Sequence, residues 1–159
     1  MSQPAGETIE IVGFRTEFSG AFRDLNIEWI DEYFAVEPED ERILGDPGAE
    51  IIDKGGEILF AIEGTKPVGT CAIIPCEPGV FKLAKMGVTR EFRGRGLGLK
   101  LGKAAIAAAA SRKARSVILE THSSLKPAIA VYRKLGFVEY KDTGEQQYRR
   151  VDMHMRLDL

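Results

Sequence analysis

The sequence predicts a mixed α/β protein: one largely antiparallel sheet with helices on both faces. Three observations predict it. Short apolar runs at 57–63 and 68–74 flank Gly64-Thr65-Lys66-Pro67, the pattern of a β-hairpin. An alanine- and leucine-rich stretch at 97–113 precedes a β-branched run at 116–121, which reads as a helix feeding a buried strand. The C-terminus alternates, with Val151, Met153, Met155 and Leu157 on one face and Asp152, His154, Arg156 and Asp158 on the other.

The remaining elements follow in order. A short strand is expected at 9–14, then a helix on which Phe22, Leu25, Trp29 and Tyr33 recur at helical spacing. A further turn or two covers 38–44, and the acidic run 37–41 reads as its solvated start, able to attract a cationic amine. Asp46 before Pro47 resembles a cap opening a helix over 48–54, which Gly55-Gly56 ends. Pro78-Gly79 turns the chain into a strand at 80–89. After residue 121, Ser123 or Ser124 offers a helix cap, Pro127 sits near the first turn, and Ala128, Val131 and Leu135 form an apolar stripe. Gly136-Phe137 has the form of a glycine C-cap with its hydrophobic contact. A terminal antiparallel pair closes the fold.

With 159 residues and no internal repeat or long linker, the chain reads as a single domain, 1–159. A net charge of -2 gives no global drive toward nucleic acid, so any attraction for phosphate must be local. No apolar run is long enough to span a membrane, and residues 1–7 lack a secretory pattern. Neither a nucleic-acid nor a membrane partner is expected. Cys71 and Cys76, with only His122 and His154 beside them, make no metal-ligand pattern. They read as small buried hydrophobes in a reducing cytoplasm, and no metal is expected.

The segment Arg93-Gly94-Arg95-Gly96-Leu97-Gly98 lies between a strand and the long helix. Glycines let backbone N–H groups approach a ligand, and a helix start leaves such donors unpaired and partly positive. Arg93 and Arg95 add forked donors suited to phosphate. The segment therefore reads as a pyrophosphate cradle rather than a flexible turn. A magnesium-nucleotide loop is excluded, because Gly98 stands too close to Gly102-Lys103 and Ala104 supplies no hydroxyl. A dinucleotide loop is disfavoured, because Leu99 occupies the third glycine position and residues 90–93 lengthen the turn.

These residues resemble the GNAT superfamily of acyl-coenzyme A-dependent N-acyltransferases. Phe92-Arg93-Gly94-Arg95-Gly96-Leu97-Gly98 matches its Arg/Gln-x-x-Gly-x-Gly/Ala signature, and Lys85-Met86-Gly87-Val88-Thr89 resembles the strand before it. Ala128 to Phe137, in the form Ala-x-x-x-Tyr-x-x-x-Gly-Phe, resembles its later helix. The likeness is firm over about 57–140. It implies a sheet splayed at its centre, with the pantetheine arm of acetyl-CoA beside Met86 and Val88 and the pyrophosphate on Arg93, Gly94, Arg95, Gly96, Leu97 and Gly98. It implies acetyl transfer to a primary amine of a small molecule or peptide, by direct attack in a ternary complex.

Tyr132 matches the position of the general acid, although its spacing also suits core packing; one side chain can do both. The Val88 N–H is the implied oxyanion donor. Glu120 and His122 are candidate bases beside acidic groups at 28–32 and water, and none is assigned. His154 reads as a surface residue and Trp29 as a core one. Where the family often carries Asn, this chain has Leu125, and His122, Ser123 or Ser124 could supply the missing contact. The alternatives to an enzyme are a non-catalytic acyl-CoA-binding or sensing module and an interaction domain with a vestigial cleft. Base rates for small enzymes favour a homodimer.

Overall fold

A computed structural model describes residues 8–142, 144 and 148–159; residues 1–7, whose sequence lacks a secretory pattern, lie outside the described residues. Seven strands form one sheet: β1 (Ile9–Val12), β2 (Glu57–Glu63), β3 (Lys66–Pro75), β4 (Val80–Val88), β5 (Ser116–Thr121), β6 (Val138–Tyr140) and β7 (Met153–Asp158), in the order β1-β2-β3-β4-β5-β7-β6. Every neighbouring pair is antiparallel except β4 with β5. No helix among the described residues is long and apolar enough to cross a membrane.

Alternation along the strands divides the core between two faces. On one face, α1 (Ser19–Tyr33) and α2 (Pro38–Gly45) bring Phe22, Ile30, Ile43 and Leu44 onto Ile58, Phe60 and Ile62 of β2. On the other, Leu101, Ala105 and Ala109 of α3 (Leu97–Ser111) pack on Cys71, Leu83, Val117 and Leu119. Ile129 of α4 (Lys126–Lys134) and Phe137 complete that layer.

The parallel pairing of β4 with β5 covers only Val80 with Ser116, Phe81 with Val117 and Lys82 with Ile118. Beyond Lys82 the strands part, which is the expected splay. A second irregularity lies within β4. Thr70 faces Gly87 and Ala72 faces Ala84, so Lys85 and Met86 together stand opposite Cys71. This is a β-bulge, and Lys85 takes its left-handed position at φ 56°. The extra residue moves Lys85 from the face of Phe81 and Leu83 to the face of α2.

Several expectations are corrected. The helix expected over 48–54 is a single π-helical turn, Gly48–Ile52, although Asp46 Oδ1 does accept the Ala49 N–H at 3.1 Å. The α4 N-cap is Leu125, not a serine, because Ser123 binds Asp152 through its N–H and its hydroxyl, each at 2.7 Å. Cys76 is exposed at the end of β3, while Cys71 is buried. His154 is only 6% exposed, covered by the Tyr140 ring at 5.9 Å and facing Glu120.

Candidate active site

The parted strands open a cleft of about 1100 Å³ that runs between α1, α2, β4, β5 and the starts of α3 and α4. Its first wall is backbone. The Thr89 N–H donates to Val68 O at 2.9 Å, which makes Gly69 and Val88 a non-hydrogen-bonded pair. Val88 therefore turns its own N–H and C=O away from β3 and into the gap. Met86 lies in the bulge and lines the same cleft.

The glycine segment follows. Gly94 and Gly96 both hold left-handed backbone, at φ 78° and 80°, and a Cβ at either would meet no atom within 4 Å. Backbone conformation and an open approach, not crowding, are what these two glycines supply. In α3 the first amide bonded to backbone is Lys100, to Gly96 O at 3.2 Å. The N–H groups of 94–99 make no protein hydrogen bond among the described residues, as expected at a helix start. Arg95 folds over the Phe92 ring at 4.5 Å. Arg93 is engaged elsewhere, with its Nη2 buried and making no hydrogen bond among the described residues. Its Nε donates to Val88 O at 2.9 Å and its Nη1 to Glu32 at 3.0 Å, so the guanidinium faces α1.

Tyr132 lines the cleft from α4. The helix ends in a Schellman motif: Phe137 N–H bonds Tyr132 O, Gly136 N–H bonds Arg133 O, both at 3.0 Å, and Gly136 has φ 104°. The Phe137 ring meets the Tyr132 ring edge-on at 6.2 Å. Burial, with the nearby Cys71 thiol behind it, pushes the Tyr132 hydroxyl up to about 12. The phenol is thus protonated throughout the physiological range.

On β5, Glu120 Oε1 accepts from Lys82 Nζ at 2.9 Å, and its Oε2 lies 3.6 Å from His154 Nε2. His122 stacks edge-on with Phe34 at 5.5 Å and shares Nδ1 with the Ser124 hydroxyl at 2.7 Å. Leu125 lines the cleft, while His122, Ser123 and Ser124 are engaged with one another and with Asp152.

The far wall holds residues that sequence reading missed. Asp40 is fully buried, not solvated. Its Oδ1 accepts from Lys85 Nζ at 2.5 Å and Arg150 Nη2 at 2.6 Å, and its Oδ2 from Arg150 Nη1 at 2.7 Å and the Glu37 N–H at 2.9 Å. Burial pushes this carboxyl up, but Arg150 and Lys85 outweigh it and hold Asp40 at about 2. Lys85 also donates to the Tyr148 hydroxyl at 3.1 Å, and Arg150 lies over the Trp29 and Tyr148 rings. One signal was available in sequence: Lys85 falls on the apolar parity of Phe81 and Leu83, where a lysine calls for a charge partner or a change of register.

A sheet parted after a short parallel pairing, with a glycine-started helix at the mouth, defines the class: an acyl-CoA N-acyltransferase fold. The profile of the acetyltransferase (GNAT) family matches residues 19–137, and the chain belongs to that family. It is 37% identical over 98 residues to mycothiol acetyltransferase of Nocardioides sp., a match covering 60% of this chain and 33% of that protein. The chain thus spans about a third of that curated relative. An acetyltransferase of the GNAT family from Staphylococcus aureus superposes with a TM-score of 0.86 at 18% identity, covering 95% of this chain and 99% of the other. A phosphinothricin acetyltransferase from Sinorhizobium meliloti in complex with acetyl-CoA has a TM-score of 0.78 at 17% identity, over 96% and 89%.

Proposed function

We propose that the protein is an N-acetyltransferase that moves an acetyl group from acetyl-CoA to a primary amine of a small molecule or peptide in a ternary complex. The observation that carries this reading is the convergence on one cleft of the inward-facing Val88 N–H, the free amides of 94–98 and the protonated Tyr132 hydroxyl. Family membership supports the same chemistry.

Bound acetyl-CoA supplies a thioester carbonyl for the amine and a thiolate leaving group. The amides of Gly94, Arg95, Gly96, Leu97 and Gly98 hold the pyrophosphate, and the backbone of Met86 and Val88 holds the arm as a neighbouring strand would. The Val88 N–H stabilises charge developing on the carbonyl oxygen. Tyr132 gives its proton to the departing sulfur, and the Schellman motif fixes the helix turn from which it does so. The amine's proton leaves to water or to Glu120, the carboxylate lining the cleft on β5.

Tyr132→Phe tests the assignment. Turnover falls roughly 100-fold while the Kd for acetyl-CoA is unchanged. Full turnover in this variant across an amine panel would remove Tyr132 from the mechanism. Calorimetric binding of acetyl-CoA without turnover of any amine would favour the sensing module instead.

A further inference from the structure

Four charged residues at the junction of α1 with the glycine segment have no part in the proposed chemistry. Glu28 and Glu32 stand one helical turn apart on α1. Glu28 accepts from the Thr89 hydroxyl and the Arg90 N–H, both at 3.0 Å, and its Oε2 lies 3.6 Å from Arg93 Nη2. Glu32 accepts from Arg90 Nη2 at 2.9 Å and Arg93 Nη1 at 3.0 Å. Arg93 then reaches Val88 O through Nε at 2.9 Å. The two carboxylates therefore grip the chain from Thr89 to Arg93, between the Val88 peptide and the cradle. Hydrogen bonds from Arg90, then Tyr33 and Arg93, hold the Glu32 carboxyl at about 2, so the grip stays charged at any ordinary pH.

Two carboxylates beside a pyrophosphate site are unfavourable on charge alone. Arg90 and Arg93 neutralise them, and in doing so Arg93 turns from the expected ligand position toward α1. The same helix carries Trp29, which lines the cleft against Gly87 of β4 and beneath the Arg150 guanidinium. We propose that Arg93, Glu28 and Glu32 are positioning residues that couple the two sides of the cleft, so that binding of acetyl-CoA at 94–98 rigidifies α1 and the acceptor wall it carries. The inference rests on the cradle in the proposed function. It assigns Arg93 to the strut rather than to the phosphates.

The sign of one binding change decides it. Acetyl-CoA is titrated calorimetrically into the wild-type protein and into the Glu28→Gln, Glu32→Gln double variant, with thermal melts to verify folding. Coupling predicts binding weakened roughly tenfold, because the segment leading into the cradle is released. Charge alone predicts the opposite, since two anions near a polyanion have been removed. Equal or tighter binding in a folded variant overturns the coupling and leaves the proposed function standing. A wild-type protein that does not bind acetyl-CoA overturns both. Should the double variant fail to fold, Glu32→Gln alone keeps the Glu28 contacts and is expected to weaken binding at least threefold; no weakening refutes the strut. Hydrogen exchange supplies a second readout. Acetyl-CoA slows exchange in α1 of the wild type and leaves it unchanged in the variant; equal slowing in both sinks the idea.

Discussion

In the function proposed above, the donor side of the cleft is made of backbone, and the opposite side, which we assign to the acceptor, of charged side chains. At 94–98 the useful groups are amides left over by a helix start, and two glycines hold them in left-handed geometry. Around Asp40, two carboxylates, a lysine, an arginine and a phenol satisfy one another in a buried network. A backbone site takes its donors from amides, so side chains around it can vary, those of the Glu28–Glu32–Arg93 strut excepted. A buried ion network fails when one member is lost, because the others are left desolvated.

The largest expected effect falls on the acceptor side. Asp40→Ala strands Lys85 and Arg150 and destabilises the fold by about 3–5 kcal/mol, read from urea unfolding. Acetyl-CoA affinity of the folded fraction stays within about twofold. A comparable loss of affinity would show that the Asp40 network, which shares no hydrogen bond with Glu28, Glu32 or Arg93 among the described residues, also reaches the cradle. The same residue sets an acid limit. Its folded value of about 2 lies below the ordinary range, so its contribution is complete above about pH 4 and disappears as pH falls toward 2. Urea midpoints at pH 7, 4 and 2.5 should show that loss in the wild type, with a smaller loss in Asp40→Ala.

On the donor side the pattern reverses. Gly96→Glu places a carboxylate where the pyrophosphate is expected and weakens acetyl-CoA binding by roughly 100-fold or more. The melting temperature drops by only a few degrees, since the new Cβ meets open space and only the left-handed backbone resists it. Unchanged affinity would dispose of the cradle.

Gly136→Ala sharpens the contrast with the smallest effect. Its φ of 104° and a Cβ 3.1 Å from Leu157 Cδ1 predict a loss of about 1–2 kcal/mol. Turnover drops modestly as the Tyr132 turn loosens, while the Kd for acetyl-CoA holds. A weakened Kd with unchanged turnover would place this turn on the donor side instead.

This division also explains what could be read from sequence. Local grammar marked the glycine segment and the Tyr132 turn: the glycine spacing, the helix start and the Gly136-Phe137 cap all lie within a few residues of what they act on. The bounds of β2 and β5 matched for the same reason, while α3 stops at Ser111 because Lys113 takes φ 62°. The acceptor side depends on partners far apart in the chain, Asp40 with Lys85 and with Arg150, and no spacing rule joins them. Alternation put His154 on the polar face correctly. It could not show that Glu120 and Tyr140 cover that face, so the side chain is enclosed. Arg93 reads in sequence as a cation of the cradle, but its turn toward Glu32 depends on a helix about 60 residues earlier in the chain.

The bulge at Lys85 gives β4 two addresses. Before it, Phe81 and Leu83 serve the layer beneath α3; at it, the chain slips by one residue and hands a lysine to α2. Variation on the cleft face of α2, outside Asp40 and its partners Lys85 and Arg150, can therefore reshape the wall we assign to the acceptor while the amides that follow keep their places. For anyone redesigning acceptor choice, the bulge marks where to stop.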